Sequence, residues 1–428
     1  MLKSLMLTAQ RNPSSTLSPA FDHIKPPKPQ KPGETTSHEA TAAAARAPAV
    51  VTPLTHYQKP LLDSPFLTQI ASYIETQTFT PWAGYNVVDH YSSIEQEYFA
   101  IRNTCGLFDL SPIAKYRIAG CDALRYLNHL VTCDVRELQI GQAAYTIWCD
   151  DAGRLIDQGI LFHLSKNEFR LCVDNPQLDW LLVSACGFDV EIEDLTQEIA
   201  ALALHGPASC SILKHMGFDN IELLKPFEIR HFHIQGLLAM VSRTSCAGEL
   251  SYEIWIDPAQ ANLLWKSFSL MSDVRLIGWA ARNMARIEAG FISSYMDFVP
   301  ATRAINHTHS YSPYELGLGW AVDLNKGHFT GRRALIPEQV AVLKRQLVSI
   351  EIESRGTALH APVFETKRAR RKIGMVTSAV WSPARQKNIA LATVQASYAE
   401  PGKRIWIQMW LDSSYAIVPA HIVERQAR

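Results

Sequence analysis

Apolar and polar residues alternate over 252–257. Tyr252, Ile254 and Ile256 fall on one side of a pleated chain, and Glu253, Trp255 and Asp257 on the other, which predicts a strand. Gly248 supplies a permissive turn ahead of it. Other stretches repeat at helical intervals. Phe66, Ile70, Tyr73 and Ile74 do so, as do Leu124, Leu127 and Leu130, with those three leucines facing inward. Ala259, Leu263, Leu264 and Phe268 recur the same way, and residues 277–289 read as a strong helix stopped by Gly290. Ser93 with Gln96 has the form of a capping box at the start of a helix carrying Tyr98, Ile101 and Arg102. Strands are expected over 143–149, 154–164, 168–173, 189–194, 200–204, 237–242 and 316–322. Helices are expected over 177–184 and 208–215. Residues 301–313 read as loop. From 337 onward the pattern is nearly all β, with strands over 346–353, 373–381, 389–394 and 404–411. The chain thus divides into a mixed α+β region over 61–336 and a C-terminal β domain over 337–428.

Residues 1–60 break this pattern. They are rich in Pro, Ala, Ser and Thr and poor in aromatics, and 24–32 favours an extended polyproline conformation. They read as a disordered tail. Lys3 and Arg11, without an acid before residue 22, leave organelle targeting as an alternative to a cytoplasmic location. The remainder is globular by composition: 428 residues, 47% hydrophobic and 19% charged. Lys plus Arg balances Asp plus Glu, 41 each, which excludes a nucleic-acid or anionic-membrane partner held by bulk charge. No apolar run is long enough to span a bilayer. The eight Cys form no C-x-x-C pair and read as buried free thiols.

Within this frame a few residues carry possible chemistry. Glu253 is either a solvated outer-face carboxylate or a carboxylate at a pocket mouth, accepting hydrogen bonds from amidine-like N–H groups. Asp157 and Gln158 sit inside the apolar strand pattern 155–161, so each is paired structurally or faces a ligand. Arg282 lies between alanines in the most apolar helix, where an unpaired charge is expensive. The aromatics Trp82, Tyr85, Tyr145, Trp148, Tyr252 and Trp320 are core residues, or some of them stack a planar heterocycle or enclose a cation. His231-Phe-His233 and His307-Thr-His309 lack a third ligand at familiar spacing, so no metal site is expected. No phosphate loop, dinucleotide fingerprint or nucleophile elbow is present.

Seven segments, in order, resemble landmarks of the tetrahydrofolate-binding aminomethyltransferase family, which contains the T-protein of the glycine cleavage system and related folate-dependent demethylases. They are Gly106-Leu-Phe-Asp-Leu-Ser111, Arg154-Leu-Ile-Asp-Gln158, Leu202-Ala-Leu-His-Gly-Pro207 and Gly248-Glu-Leu-Ser-Tyr-Glu-Ile254, then the 280–290, 331–335 and 373–378 segments. The resemblance spans about 64–423. It implies an α+β, three-lobed fold around a folate channel, with two mixed α/β lobes and a C-terminal β-barrel-like domain. It implies tetrahydrofolate as cofactor, with Glu253 on the pterin and Arg282 as a second folate contact. Tyr145, Asn175 and Trp320 resemble further folate-cavity residues. Tyr85 and Trp82 are expected to line the donor pocket.

Two positions depart from the family pattern. The family's Asp-Asp pair is Asp157-Gln158 here, and Ser251 replaces a glycine. Gln158 cannot carry a proton at neutral pH, and on a strand Asp157 faces the other way. The expectation drawn from this is methyl transfer from a small methylated donor to folate N5, with Gln158 and Asp157 as the residues at the chemistry. The alternatives are glycine-cleavage-type aminomethyl transfer from a lipoyl-bound donor, and a non-catalytic folate-binding accessory protein. The pattern leaves the donor and the oligomeric state open.

Overall fold

The 251–256 alternation folds into the strand Ser251–Ile256, and both of its faces are buried. Tyr252, Ile254 and Ile256 enter one apolar core, while Trp255 enters another. The strand's edges are paired too, because it lies inside a sheet, between Leu237–Ser242 and Ala200–His205. Ile229–Ile234 continues that sheet on one side, and Cys105–Asp109 with the parallel edge strand Val274–Leu276 completes it on the other. A computed structural model describes residues 60–425, apart from 246, 270, 307, 308, 412 and 413. The tail reading over 1–59, Cys246 and the His307 half of the second histidine pair therefore lie outside the described residues.

A second, antiparallel sheet has the order Ala143–Cys149, Leu155–Ser165, Glu168–Val173, Ala114–Ala119, Glu191–Asp194. Trp148 pairs with Asp157 and Cys149 with Leu155, so Ile156 is an extra, bulged residue. Trp82, Tyr145, Ile160, Phe162, Trp255, Ala281 and Leu391 share one apolar core, which joins the two sheets, a helix and the C-terminal barrel. The barrel is closed, in the order Arg345–Ile352, Lys387–Gln395, Lys372–Ser382, Pro362–Phe364, Arg404–Leu411, Ser414–Val423. Closure leaves it without a free edge strand.

The helix Trp279–Ala289 stands between these parts. Its N-terminus begins at Gly278, where a Cβ would come within 2.2 Å of Asp89 O, so only glycine allows the approach. Glu97 caps this junction. One carboxylate oxygen accepts from Gly278 N at 2.8 Å, and the other from Tyr91 N and Ser92 N. The helix ends at Gly290 in the left-handed conformation, as the sequence pattern expects. Near its C-terminus Arg286 donates to Asp297 at 2.7 Å, with side chains 1% and 0% exposed. Asp297 also accepts from Ser293 N at 2.8 Å and from barrel residues Thr377 at 2.7 Å and Ser378 at 2.6 Å. Arg102, on the helix Ile94–Asn103, pairs with Glu288 and reaches Glu249, just ahead of the Glu253 strand.

Several local expectations need correction. Ser93 is the N-cap residue but makes no side-chain cap bond, while Glu97, one turn on, accepts from Tyr91 N and Ser92 N ahead of the helix. Leu124 is exposed, since Tyr126 with Leu127 and Leu130 forms the buried face of its helix. Residues 316–322 form turns and a short 3-10 segment, Gly319–Ala321, rather than a strand. Gly317 at φ +69° breaks the extended backbone, and the same apolar spacing is met by turns. Cys121 and Cys186 are exposed rather than buried. The strands Pro362–Phe364 and Ser414–Val423 went unanticipated; the first is short and both contain proline.

Removing one partner of the Arg286–Asp297 pair leaves an uncompensated buried charge. Asp297→Ala is expected to lower stability by about 3–5 kcal/mol. Glu351→Gln, at the exposed Lys387 pair on the barrel, should change it by no more than about 1 kcal/mol. Urea midpoints measure both, and equal effects would contradict the role given to Asp297.

Candidate active site

Strand period decides which residues meet. In Glu168–Val173, Phe169, Leu171 and Val173 face the core of their own sheet, while Cys172 faces the other way. Asp174 continues the Cys172 side, and both line a cavity between the two sheets. The other walls are Leu110, Ile113, Ile160, Phe162 and Trp255, with Thr244, Ser245, Glu253 and Arg282 as polar groups. One arginine and two carboxyl groups thus converge on a site with flat apolar walls.

The polar groups differ in how they are held. Glu253 accepts from Ser242 at 3.2 Å and from the Thr244 hydroxyl. Burial raises its pKa, and those hydrogen bonds and Arg282 oppose the rise. The Arg282 guanidinium lies over the rings of Phe108 at 4.7 Å and Trp82 at 5.2 Å. Asp174 is buried, and its Oδ1 has no hydrogen-bond partner among the described residues. Burial holds its carboxyl well above the usual range; Arg282 and Arg286 lower it, while Asp157 and Glu253 raise it. Ser251, in the glycine's place, accepts or donates at His205 Nδ1 at 2.8 Å and Ser245 at 3.0 Å, behind the cavity wall.

The other sequence-derived residues form two groups beside the cavity. Tyr145 donates to Gln158 Oε1 at 2.5 Å, and Gln158 Nε2 donates to Ile292 O at 3.1 Å, so both ends of the amide are committed. Trp320 packs against Tyr145 with ring centroids 5.2 Å apart. Arg425 joins this group by its charge on Tyr145 and by donating to Leu316 O at 2.6 Å. Asp157 belongs to the second group. It accepts from Gln158 N at 2.9 Å and Gln177 Nε2 at 2.8 Å, with Ser294 and Asn175 beside it. Burial pushes its pKa up to about 7, against the pull of those hydrogen bonds.

Three residues named from the sequence stand apart from this cavity. Asn175 does not line the cavity; its neighbour Asp174 does. Trp82 and Tyr85 are also absent from its walls. Trp82 is fully buried beneath Arg282, and Tyr85 pairs with it across a β-hairpin, because both are needed to fill the shared core. A larger cleft, about 460 Å³, opens beside Tyr91, Trp265 and Phe268, away from all of these groups.

Two family models cover most of the chain. The GCVT N-terminal domain matches residues 74–326, and the glycine cleavage T-protein C-terminal barrel domain matches 345–426. The chain belongs to the glycine cleavage T-protein family. Curated relatives named aminomethyltransferase align over most of their length. The one from Caldanaerobacter subterraneus subsp. tengcongensis is 33% identical over 76% of this chain and 86% of that protein. The one from Halothermothrix orenii is 32% identical over 76% and 89%. The crystal structure of glycine cleavage system aminomethyltransferase T from Bartonella henselae superimposes with a TM-score of 0.75 at 24% identity, covering 86% of this chain and 98% of that one. That likeness establishes the T-protein fold for this chain: mixed α/β lobes with a C-terminal closed barrel.

The Asp157 environment sets a pH dependence of stability. Its folded pKa of about 7 lies above the ordinary value of about 3.9. The folded chain therefore keeps a proton that the unfolded chain has lost. The stability this provides is full below about pH 4 and is lost as pH rises to about 7. Asp157→Asn lacks this loss and should gain on the wild type as pH rises, by up to about 1.4 kcal/mol per pH unit within that window. Urea unfolding between about pH 5 and about pH 8 checks this, and parallel stability curves would contradict it.

Proposed function

We propose that the cavity, about 20 Å³, receives the pterin edge of tetrahydrofolate and that the chain transfers an aminomethyl-derived one-carbon unit to the folate. The enzyme class, a tetrahydrofolate-using one-carbon transferase, follows from the family and from curated relatives named aminomethyltransferase. The observation that carries the reading is the convergence of Glu253 and Arg282 on one buried cavity with flat apolar walls. A carboxylate there accepts two parallel N–H bonds from the pterin 2-amino and N3 edge. Phe162 and Trp255 offer aromatic surface to a planar ring, and Arg282 supplies a fixed positive charge. When bound, tetrahydrofolate supplies the nitrogen that accepts the one-carbon unit. The protein's part is to orient it and exclude water.

The donor is the finer part of the proposal. Methyl transfer from a small methylated donor was favoured by Gln158, which removes a titratable group. The surroundings weaken that ground. Two buried carboxyls with raised pKa, Asp157 and Asp174, stand in this region, and Asp174 is on the cavity wall. Proton management for a leaving amine is therefore available. An aminomethyl group borne by a lipoyl-type carrier fits this chemistry and the name of the relatives better.

Tetrahydrofolate with an S-aminomethyl dihydrolipoyl donor should yield 5,10-methylene-tetrahydrofolate and ammonia. Formation of 5-methyl-tetrahydrofolate from methylated donors alone would favour methyl transfer instead. Folate binding without any product would favour an accessory protein. Glu253→Ala should weaken tetrahydrofolate binding by about 10- to 100-fold in a titration, the value of a charged hydrogen bond. Unchanged affinity would contradict the pterin assignment.

A further inference from the structure

The acids and amides around the cavity differ in what they are free to do. Gln158 is held at both ends of its amide, by Tyr145 and by Ile292 O. Each oxygen of Asp157 already accepts a hydrogen bond, from Gln158 N and from Gln177, and Asp157 is not on the cavity wall. Glu253 takes the Ser242 and Thr244 hydroxyls on Oε2, donors that favour its charged form, and is the group assigned to the pterin edge. Asp174 differs. It lines the cavity, is 4% exposed, and keeps Oδ1 buried without a hydrogen-bond partner among the described residues. A buried carboxyl oxygen left in that state is costly unless a ligand or a proton completes it.

We infer that Asp174 is the acid of this site, giving its proton to the nitrogen that leaves the one-carbon donor. This rests on the aminomethyl-transfer reading above. In that step the donor's C–N bond breaks and its electron pair goes to nitrogen. The nitrogen takes the Asp174 proton and departs as ammonia. The carbon bonds one folate nitrogen, and the proton displaced from that nitrogen returns to Asp174. The carbon–sulfur bond then breaks with its electron pair going to sulfur as the carbon bonds the second folate nitrogen, and the proton displaced there goes to the departing thiolate, releasing the dihydrolipoyl thiol. No oxidant or reductant is required.

The surroundings favour this role. Asp157 and Glu253 face Asp174 as negative neighbours, while Arg282 and Arg286 face it from the helix Trp279–Ala289. Burial outweighs both arginines and keeps the carboxyl protonated well above its ordinary range. The acid form then persists to higher pH than for an ordinary carboxyl, and activity falls as pH rises through the Asp174 pKa. Asp174 also explains how the chain manages without an acid at 158: a carboxyl one strand away lines the cavity itself.

The test compares the wild type with Asp174→Asn and Asp174→Glu, using tetrahydrofolate and an S-aminomethyl dihydrolipoyl donor. Three readouts are followed: folate affinity, ammonia release, and the infrared carbonyl stretch of protonated carboxyl groups at neutral pH. Asp174→Asn is close to isosteric, so its folate affinity should stay within about threefold of wild type. Its ammonia release should fall by about 10²- to 10⁴-fold, the usual worth of a general acid. It should lose part of the carbonyl band and the high-pH fall in rate. Asp174→Glu should recover part of the rate and of the band. An Asp174→Asn protein that releases ammonia at nearly the wild-type rate, or leaves the carbonyl band intact, overturns the assignment. A wild type that binds folate but releases no ammonia contradicts the aminomethyl reading itself and takes this assignment with it.

Discussion

The buried contact between Arg286 and Asp297 fixes the position of nearly everything around the cavity. Two opposite charges taken out of water are tolerated only when their remaining hydrogen-bonding capacity is filled. Here it is filled by three separate parts of the chain. Arg286 comes from the central helix, Ser293 from the segment that follows it, and Thr377 and Ser378 from the barrel. The segment pinned in this way presents Ile292 O to Gln158 and brings Ser294 beside Asp157. The same helix carries Arg282 one turn earlier, over Phe108 and Trp82. The barrel is thus tied directly to the wall of the cavity.

On this scaffold the cavity gathers charge that the protein only partly neutralises. Glu253 and Asp174 face a single wall arginine, Arg282, and Asp157 lies behind them. Desolvation raises the pKa of all three acids. A ligand bearing N–H donors relieves that cost at Glu253, and a bound proton relieves it at Asp174. Binding and acid chemistry are then two answers to one electrostatic problem, divided between two carboxyls by what surrounds each. Glu253 has hydroxyl donors that favour its charged form, whereas Asp174 Oδ1 has none among the described residues.

Much of this was legible from residue order. The alternation around Glu253, the apolar helix around Arg282 and the motif order led to two groups that do meet in one cavity. The β character of the C-terminal region was readable too, although closure of the barrel depends on two strands that the pattern does not mark. The misses have local causes. Asn175 was named from the resemblance alone, and continuing the period of two from Cys172 brings Asp174 to the cavity side instead. Trp82 and Tyr85 are aromatic, which does not say whether a ring lines a cavity or fills the core beneath it. The 316–322 segment has strand-like apolar spacing, but Gly317 turns the backbone. Gln158 shows a different limit: its loss of charge was visible, while the carboxyl nearby in space, sixteen positions along the chain, was not.

The position of the pterin ring decides what Glu253, Arg282 and Asp174 do. A crystal structure of the full chain with tetrahydrofolate bound tests this directly. The pterin N–H edge should lie on the Glu253 carboxylate, with Arg282 and Asp174 bordering the same ligand. A pterin seated elsewhere, for example in the cleft beside Tyr91 and Trp265, with Glu253 still bonded only to Ser242 and Thr244, would contradict it.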